Sequence, residues 1–146
     1  MKKLLFLALL LIPGLAAATG ARLSSADLVE IRAVINRQLD AFRNDDAQRA
    51  FELAAPSVQQ TFRTPERFMS VVRMAYWAMV RPMKISFLDL MVLEAQAAVQ
   101  QLQVIDRSGT VWLAYYAMER QHDGSWRASG CHLVQPRTVS ASLALE

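Results

Sequence analysis

The chain has 146 residues, of which 53% are hydrophobic and 20% charged, and it carries a formal net charge of +3. A chain of this length can bury one core without metal or disulfide staples, and one domain is the natural count. Cys131 is the single cysteine, which excludes an intramolecular disulfide and leaves the core to hold the fold alone.

Lys2 and Lys3 precede an apolar run from Leu4 to Ile12, followed by Pro13-Gly14 and the small residues Ala16-Ala17-Ala18. That order reads as a charged n-region, an h-region, a helix breaker and an A-x-A cleavage site. A membrane-spanning helix needs roughly 20 apolar residues, and this run breaks off well short of that. Residues 1–18 are therefore expected to be a signal peptide cleaved after Ala18, with the mature chain periplasmic or secreted and without stable membrane insertion. No cysteine lies near the cut, so the lipoprotein route is closed. Removing residues 1–18 leaves 14 basic against 13 acidic residues, a net charge of +1. Near-neutral charge and export together argue against a nucleic-acid partner. The single domain is expected over 19–136, with a flexible tail over 137–146 where the chain turns small and polar.

After Ser25, a good N-cap, Leu28, Ile31, Val34, Ile35, Leu39 and Phe42 recur at three- and four-residue spacing, which predicts an amphipathic helix to about Arg43. Asn44-Asp45-Asp46 breaks it and caps a second helix with Phe51 and Leu53 inward, ended by Pro56. A third helix starts at Thr64-Pro65-Glu66, an N-cap followed by proline at the first helical position. Its stripe is Phe68, Val71, Val72, Ala75, Tyr76 and Met79, and Pro82 stops it. Beyond Pro82 the period changes, and residues 83–94, 98–106, 110–121 and 126–135 read as strands, with turns at Asp106-Arg107-Ser108-Gly109 and Asp123-Gly124. Helices followed by four antiparallel strands define an α+β domain with the helices packed on one face of a curved sheet.

A two-residue turn at Asp123-Gly124 sets Tyr116 opposite Cys131 and Ala114 opposite Leu133. One face then carries Trp112, Ala114, Tyr116, Met118, Cys131 and Leu133, and the other Leu113, Tyr115, Glu119, Trp126, His132 and Val134. The second set is more mixed and is expected to face outward, with Leu113, Tyr115, Trp126 and His132 as a candidate interaction face. A one-residue slip would exchange the two sets.

The string Tyr116-x-Met118 followed by Asp123-Gly124-x-Trp126-Arg127-x-x-Gly130-Cys131-x-Leu133 resembles bacterial proteins of the domain-of-unknown-function family 4864. The helical half resembles it too, through the Gln38-to-Asp46 stretch, Phe51, Pro56, Phe62, Pro65, Phe68 and the Tyr76-to-Pro82 segment. Ala128 departs from the pattern, which has a larger aliphatic residue there. The resemblance implies a cone-shaped fold of the nuclear transport factor 2-like, SnoaL-like or cystatin-like kind, in which helices close over a bent sheet and leave a pocket. Relatives of that cone include isomerase-like and cyclase-like enzymes as well as domains that only bind or assemble, so the resemblance implies no activity. Tyr76, Phe87, Trp112, Tyr116 and Cys131 are expected to line the pocket or the core.

Candidate chemistry is sparse. Cys131 and His132 are adjacent and, in a strand, point to opposite faces, so no metal site and no cofactor is expected. The Cys131 thiol lies among apolar neighbours, where burial dulls it as a nucleophile. Asp89 is the one catalytic candidate: strand parity places it with Ile85, Phe87, Met91 and Leu93, where a carboxylate in an apolar pocket could work as a general base. The alternatives are that Asp89 lies at a bulge, or that Leu88, Leu90 and Val92 form the buried face. Asp45 and Asp46 suit helix capping. The basic series Arg63, Arg67, Arg73, Arg81 and Lys84 forms no single patch on a continuous helix, because Arg67 and Arg73 lie about 240° apart around the axis. Two functional readings follow: a binding or assembly module of the cell envelope, partnered by a small apolar ligand, an envelope protein or a second copy; and a small pocket enzyme using Asp89 with a tyrosine.

Overall fold

The computed structural model describes residues 22–136, so the expected signal peptide and the tail lie outside the described residues. Among the described residues five helices precede four strands: α1 Ser25–Arg43, α2 Ala47–Glu52, α3 Pro56–Phe62, α4 Pro65–Ala75, α5 Trp77–Val80, β1 Lys84–Glu94, β2 Ala97–Ile105, β3 Val111–Arg120 and β4 Trp126–Val134. Ser24 rather than Ser25 caps α1, and it does so reciprocally. Its hydroxyl accepts from the Asp27 amide while the Asp27 carboxylate accepts from the Ser24 amide, a capping box that satisfies donors at both ends. Asp46 caps α2 and Thr64 caps α4 through backbone amides three residues on.

Two helices are additional to the sequence expectation, each with a local cause. Pro56 does not merely end α2; it occupies the first turn of α3, where a missing N–H costs nothing. The third expected helix breaks at Tyr76, whose φ of −122° and ψ of 30° leave the helical region. The Tyr76 amide still closes α4 on Val72, and its carbonyl accepts from Met79 to open α5. The break turns the Tyr76 side chain toward the sheet.

The strands form one antiparallel meander in the order β1-β2-β3-β4. Both hairpins at its β3 ends use three-residue loops with glycine third. Asp106 and Thr110 close the β2–β3 loop and Gln121 and Ser125 the β3–β4 loop, with Gly109 at φ +82° and Gly124 at φ +85°. A left-handed residue at that position is what this loop length requires. Asp123-Gly124 is therefore not a two-residue turn.

The ladders shift register at three points, Phe87/Leu90 and Val92/Glu94 in β1 and the Ala117–Met118 step of β3, and the first and last of these reset the faces. In β1 the ladder skips between Phe87 and Leu90, so Leu88 and Asp89 have no opposite number. The buried Gln100 amide fills the gap, donating to the Leu88 carbonyl at 3.0 Å and the Asp89 carbonyl at 3.2 Å. Parity flips there, so Leu90 continues the core face after Phe87 while Met91 and Leu93 turn to solvent. In β4 a bulge falls opposite the Ala117–Met118 step. It compensates for the longer loop, so Tyr116 still faces Cys131 and Ala114 still faces Leu133. Between bulge and loop the assignment reverses, and Trp126 lies on the core face, 2% exposed. β4 is also covered at its edge, where the Ala128 amide donates to the Leu53 carbonyl and the Ala55 amide to the Ala128 carbonyl.

The core lies between the helices and the concave sheet face. Ile31, Ile35, Met69, Leu102 and Met118 are fully buried in one cluster with Phe42, Phe51 and Phe68.

Candidate functional site

α1, α3, α4 and the β3–β4 ladder line a cavity of about 430 Å³ that is open to solvent on one side. Phe42, Phe62, Phe68 and Val72 form its apolar wall. Phe68 is the centre of that wall, with its ring 6.3 Å from Phe42, 5.7 Å from Phe51 and 5.5 Å from Phe62. All three pairs are tilted or edge-on, the arrangement that the ring quadrupole favours. Tyr116, Ala128 and Cys131 form the opposite wall. Ala128 contributes only a methyl group to this wall.

The polar side chains that line the cavity are Gln38, Ser57, Thr61, Tyr76, Tyr116 and Ser129, and the Thr61 hydroxyl donates to the Ser57 carbonyl at 2.9 Å. The Tyr116 hydroxyl donates to Gln38 Oε1 at 2.9 Å, and Gln38 Nε2 donates to the Ala50 carbonyl at 2.9 Å. The Tyr76 hydroxyl donates to the Cys131 carbonyl at 2.8 Å. Both phenol protons are thus committed to the protein, whereas each phenol oxygen keeps lone pairs free to accept. Burial holds the Tyr116 phenol well above its ordinary value of 10.0 and raises that of Tyr76, with the neighbouring Cys131 adding to both. Burial pushes the Cys131 thiol up to about 12. All three groups are neutral at physiological pH, and among the described residues no Asp, Glu, His, Lys or Arg lines the cavity.

Of the residues expected to line the pocket or the core, Tyr76, Tyr116 and Cys131 line the cavity, while Phe87 and Trp112 pack against the core away from it. Phe87 packs at the side of the core beneath the Arg32 guanidinium, 5.5 Å from its ring centroid. Trp112 donates through Nε1 to Asp106 Oδ2 at 2.8 Å and meets Trp77 edge-on, with centroids 5.7 Å apart. Asp89 is exposed at the β1 bulge rather than buried in an apolar pocket, which removes it from any catalytic role built on desolvation. Leu113, Tyr115 and His132 lie on the outer sheet face as expected, but Trp126 is corrected to the core. Among the described residues no three His, Cys, Asp or Glu side chains are grouped to hold a metal ion.

Gln38 is the cavity residue whose role in the site the sequence did not announce. Only its position was a signal: it falls seven residues after Ile31 and four before Phe42, a polar side chain inside the apolar stripe of α1. A polar residue at such a position must find a buried partner, and Tyr116 and Ala50 supply it.

Helices closing over a curved meander and leaving an apolar cavity define a cystatin-like, nuclear transport factor 2-like fold, and solved structures agree. A domain of unknown function with a cystatin-like fold from Nostoc punctiforme superposes with a TM-score of 0.58 at 13% identity, covering 80% of this chain and 82% of that one. A second cystatin-like protein of unknown function from the same organism gives 0.54 at 12% identity, over 81% and 97% of the two chains. An NTF-2 like protein of unknown function from Shewanella oneidensis gives 0.51 at 12% identity, over 73% and 97%. No curated protein matches the chain. The profile of the domain of unknown function DUF4864 matches residues 24–141, and the chain belongs to that family.

Proposed function

We propose that the protein is an exported, non-catalytic binding module that holds a small, neutral, largely apolar molecule carrying a hydroxyl or other hydrogen-bond donor. One observation carries this reading: the cavity offers phenol oxygens as acceptors within an aromatic wall, while both phenol protons are already given to Gln38 and Cys131. A ligand hydroxyl finds a partner there, whereas a carboxylate would enter an apolar site with no cation to meet it, at a cost of several kcal/mol. An enzyme reading loses its proton shuttle, since Asp89 is at the surface and, among the described residues, no carboxylate or imidazole lines the cavity. Export rests on the n-region, h-region and A-x-A pattern of residues 1–18.

The test is native mass spectrometry of protein purified from periplasm, beside its denatured mass and beside calorimetric titration with 1-naphthol. A mature chain beginning near Thr19 with a neutral adduct, or saturable 1-naphthol binding, is the expected result, and Val71→Trp at the cavity wall should abolish both. A precursor that retains residues 1–18 would overturn export. An acidic adduct, or 1-naphthol binding that survives Val71→Trp, would overturn the ligand class.

A second reading, assembly through the outer sheet face, is favoured by one feature. Met91, Val99, Ala117 and Gly130 are register partners in a row across all four strands, small or apolar throughout, with Leu113 and Tyr115 beside them. A second copy or an envelope protein could cover that row. Tyr115→Lys should then convert a dimer seen by sedimentation to monomer; a wild-type monomer at all concentrations would sink the dimer.

A further inference from the structure

We propose that the protein carries a second binding site, separate from the aromatic cavity, for a small planar anion of the aromatic carboxylate class. It is a cleft of about 390 Å³ between α4–α5 and the β2–β3 loop. Three arginines line it from three different elements: Arg73 from α4, Arg81 just after α5 and Arg107 from the loop. The sequence places two of these in a basic series that a continuous helix would scatter. The break at Tyr76 and the return of the β2–β3 loop gather them instead.

The charges in the cleft are not balanced. Arg73 is paired with Asp45 through Nε and a terminal nitrogen. Asp106 is 1% exposed, and its carboxylate already accepts from the Ser108 amide and hydroxyl, the Thr110 amide and the Trp112 indole. It is turned into the loop and closes no ion pair. Arg81 spends only its Nε, on the Arg43 carbonyl. Arg107 makes no hydrogen bond or salt bridge among the described residues. Two guanidinium forks are thus left over, each suited to bidentate capture of a carboxylate.

The flat partner for the rest of such a ligand is Trp77. It lines the same cleft and is 50% exposed, an unusual state for the largest apolar side chain. It is also held still, edge-on to Trp112, which is itself anchored by Asp106. A rigid, half-bare indole beside two uncommitted arginines is an aromatic platform next to an anion fork, and it presents both without reordering the fold. The near-neutral mature charge makes this a site for a small anion and not a track for a polyanion.

The test follows the Trp77 indole Nε1–H signal in a nitrogen–proton correlation spectrum of the mature protein, assigned with Trp77→Phe, during titration with 2-naphthoate and separately with 2-naphthamide. The expected result is a saturable shift of the Trp77 signal with 2-naphthoate only. The Arg81→Gln/Arg107→Gln double variant should weaken it at least about tenfold, with the buried Trp126 signal unmoved as the report that the fold is intact. The proposal is overturned if 2-naphthoate leaves the Trp77 signal in place, if 2-naphthamide moves it equally, or if the double variant with an unchanged Trp126 signal binds as well as the wild type. A 2-naphthoate response confined to the Gln38 side-chain amide would place the anion in the aromatic cavity, and would overturn both this site and the neutral-ligand reading.

Discussion

Trp126 and Asp27 stand 99 residues apart in sequence, yet the indole Nε1 donates to Asp27 Oδ1 at 3.0 Å in the interior. The same carboxylate closes the α1 capping box through Ser24 and lies 3.6 Å from Arg120. One acid therefore fastens the first turn of the first helix to the last hairpin of the sheet. Asp106 and Trp112 repeat the device locally, at 2.8 Å within the β2–β3 hairpin.

Both acids make stability depend on acidity in the same direction. Hydrogen bonds, from Trp126 and then Ser24 for Asp27 and from Ser108 and then Trp112 for Asp106, hold each carboxyl down from 3.8 to about 2. A folded-state value below the unfolded one means the stabilisation is complete above the ordinary carboxylate range and is lost as pH falls through the folded value. The thermal midpoint should therefore drop between about pH 4 and pH 2, with unfolding releasing no proton and the unfolded chain taking up about two. Asp27→Asn should lower the neutral-pH midpoint and remove about half of that acid dependence. An Asp27→Asn protein with the wild-type pH profile would show that the carboxyl is not held down.

Removing the indole separates its two contributions. Trp126→Phe keeps most of the ring volume but takes the hydrogen bond from Asp27 Oδ1 and leaves it only the Arg120 guanidinium at 3.6 Å, at about 1–3 kcal/mol. Trp126→Ala also opens a core cavity and should cost about 3–5 kcal/mol. Denaturant midpoints of the two variants, with Asp27→Ala in a double-mutant cycle, should give a coupling of about 0.5–3 kcal/mol; strict additivity would place Trp126 where its packing alone matters.

These relationships mark where the sequence was legible and where it was not. Thr64-Pro65-Glu66 and the Gly109 loop could be read because each is decided by residues within three or four positions, through a cap and a left-handed glycine, while at Asp123-Gly124 the position of the turn could be read but not its three-residue length. The helix-then-meander order and the cone followed from them. The faces of β1 and β4 could not be read, because each depends on a bulge fixed by a remote group: the Gln100 amide beneath Leu88 and Asp89, and the Leu53–Ala55 segment pairing with Ala128. Trp126 was misplaced for that reason, and Asp89 could be read only as alternatives, of which the structure shows the bulge. Tyr116 was placed opposite Cys131 correctly, but through two offsetting differences, a longer loop and a bulge. The aromatic wall of the cavity draws Phe42, Phe62 and Phe68 from three helices, and no local pattern announces that they meet.

Asp89 supplies a control. Exposed at the bulge, it holds its place through its backbone carbonyl, which accepts from Gln100, and not through its side chain. Asp89→Ala should leave the denaturant midpoint within about 0.5 kcal/mol of wild type and leave 1-naphthol binding unchanged. A clear loss of binding would return a carboxylate to the site.

Tyr116→Phe probes the acceptor that defines the cavity. The variant deletes one hydroxyl and leaves Gln38 Oε1 buried without its donor, which should cost about 1–3 kcal/mol. It also removes a phenol oxygen from the cavity wall, so 1-naphthol should bind more weakly while naphthalene, which offers no hydroxyl, binds as before. Tyr76→Phe removes the other phenol oxygen, and its lost partner is the backbone carbonyl of Cys131 on the sheet edge. That carbonyl is less deeply enclosed than Gln38, so the stability cost should be smaller than for Tyr116→Phe. Equal weakening of naphthol and naphthalene in both variants would mean the cavity selects by shape, with the phenols serving only to hold Gln38 and β4 in place.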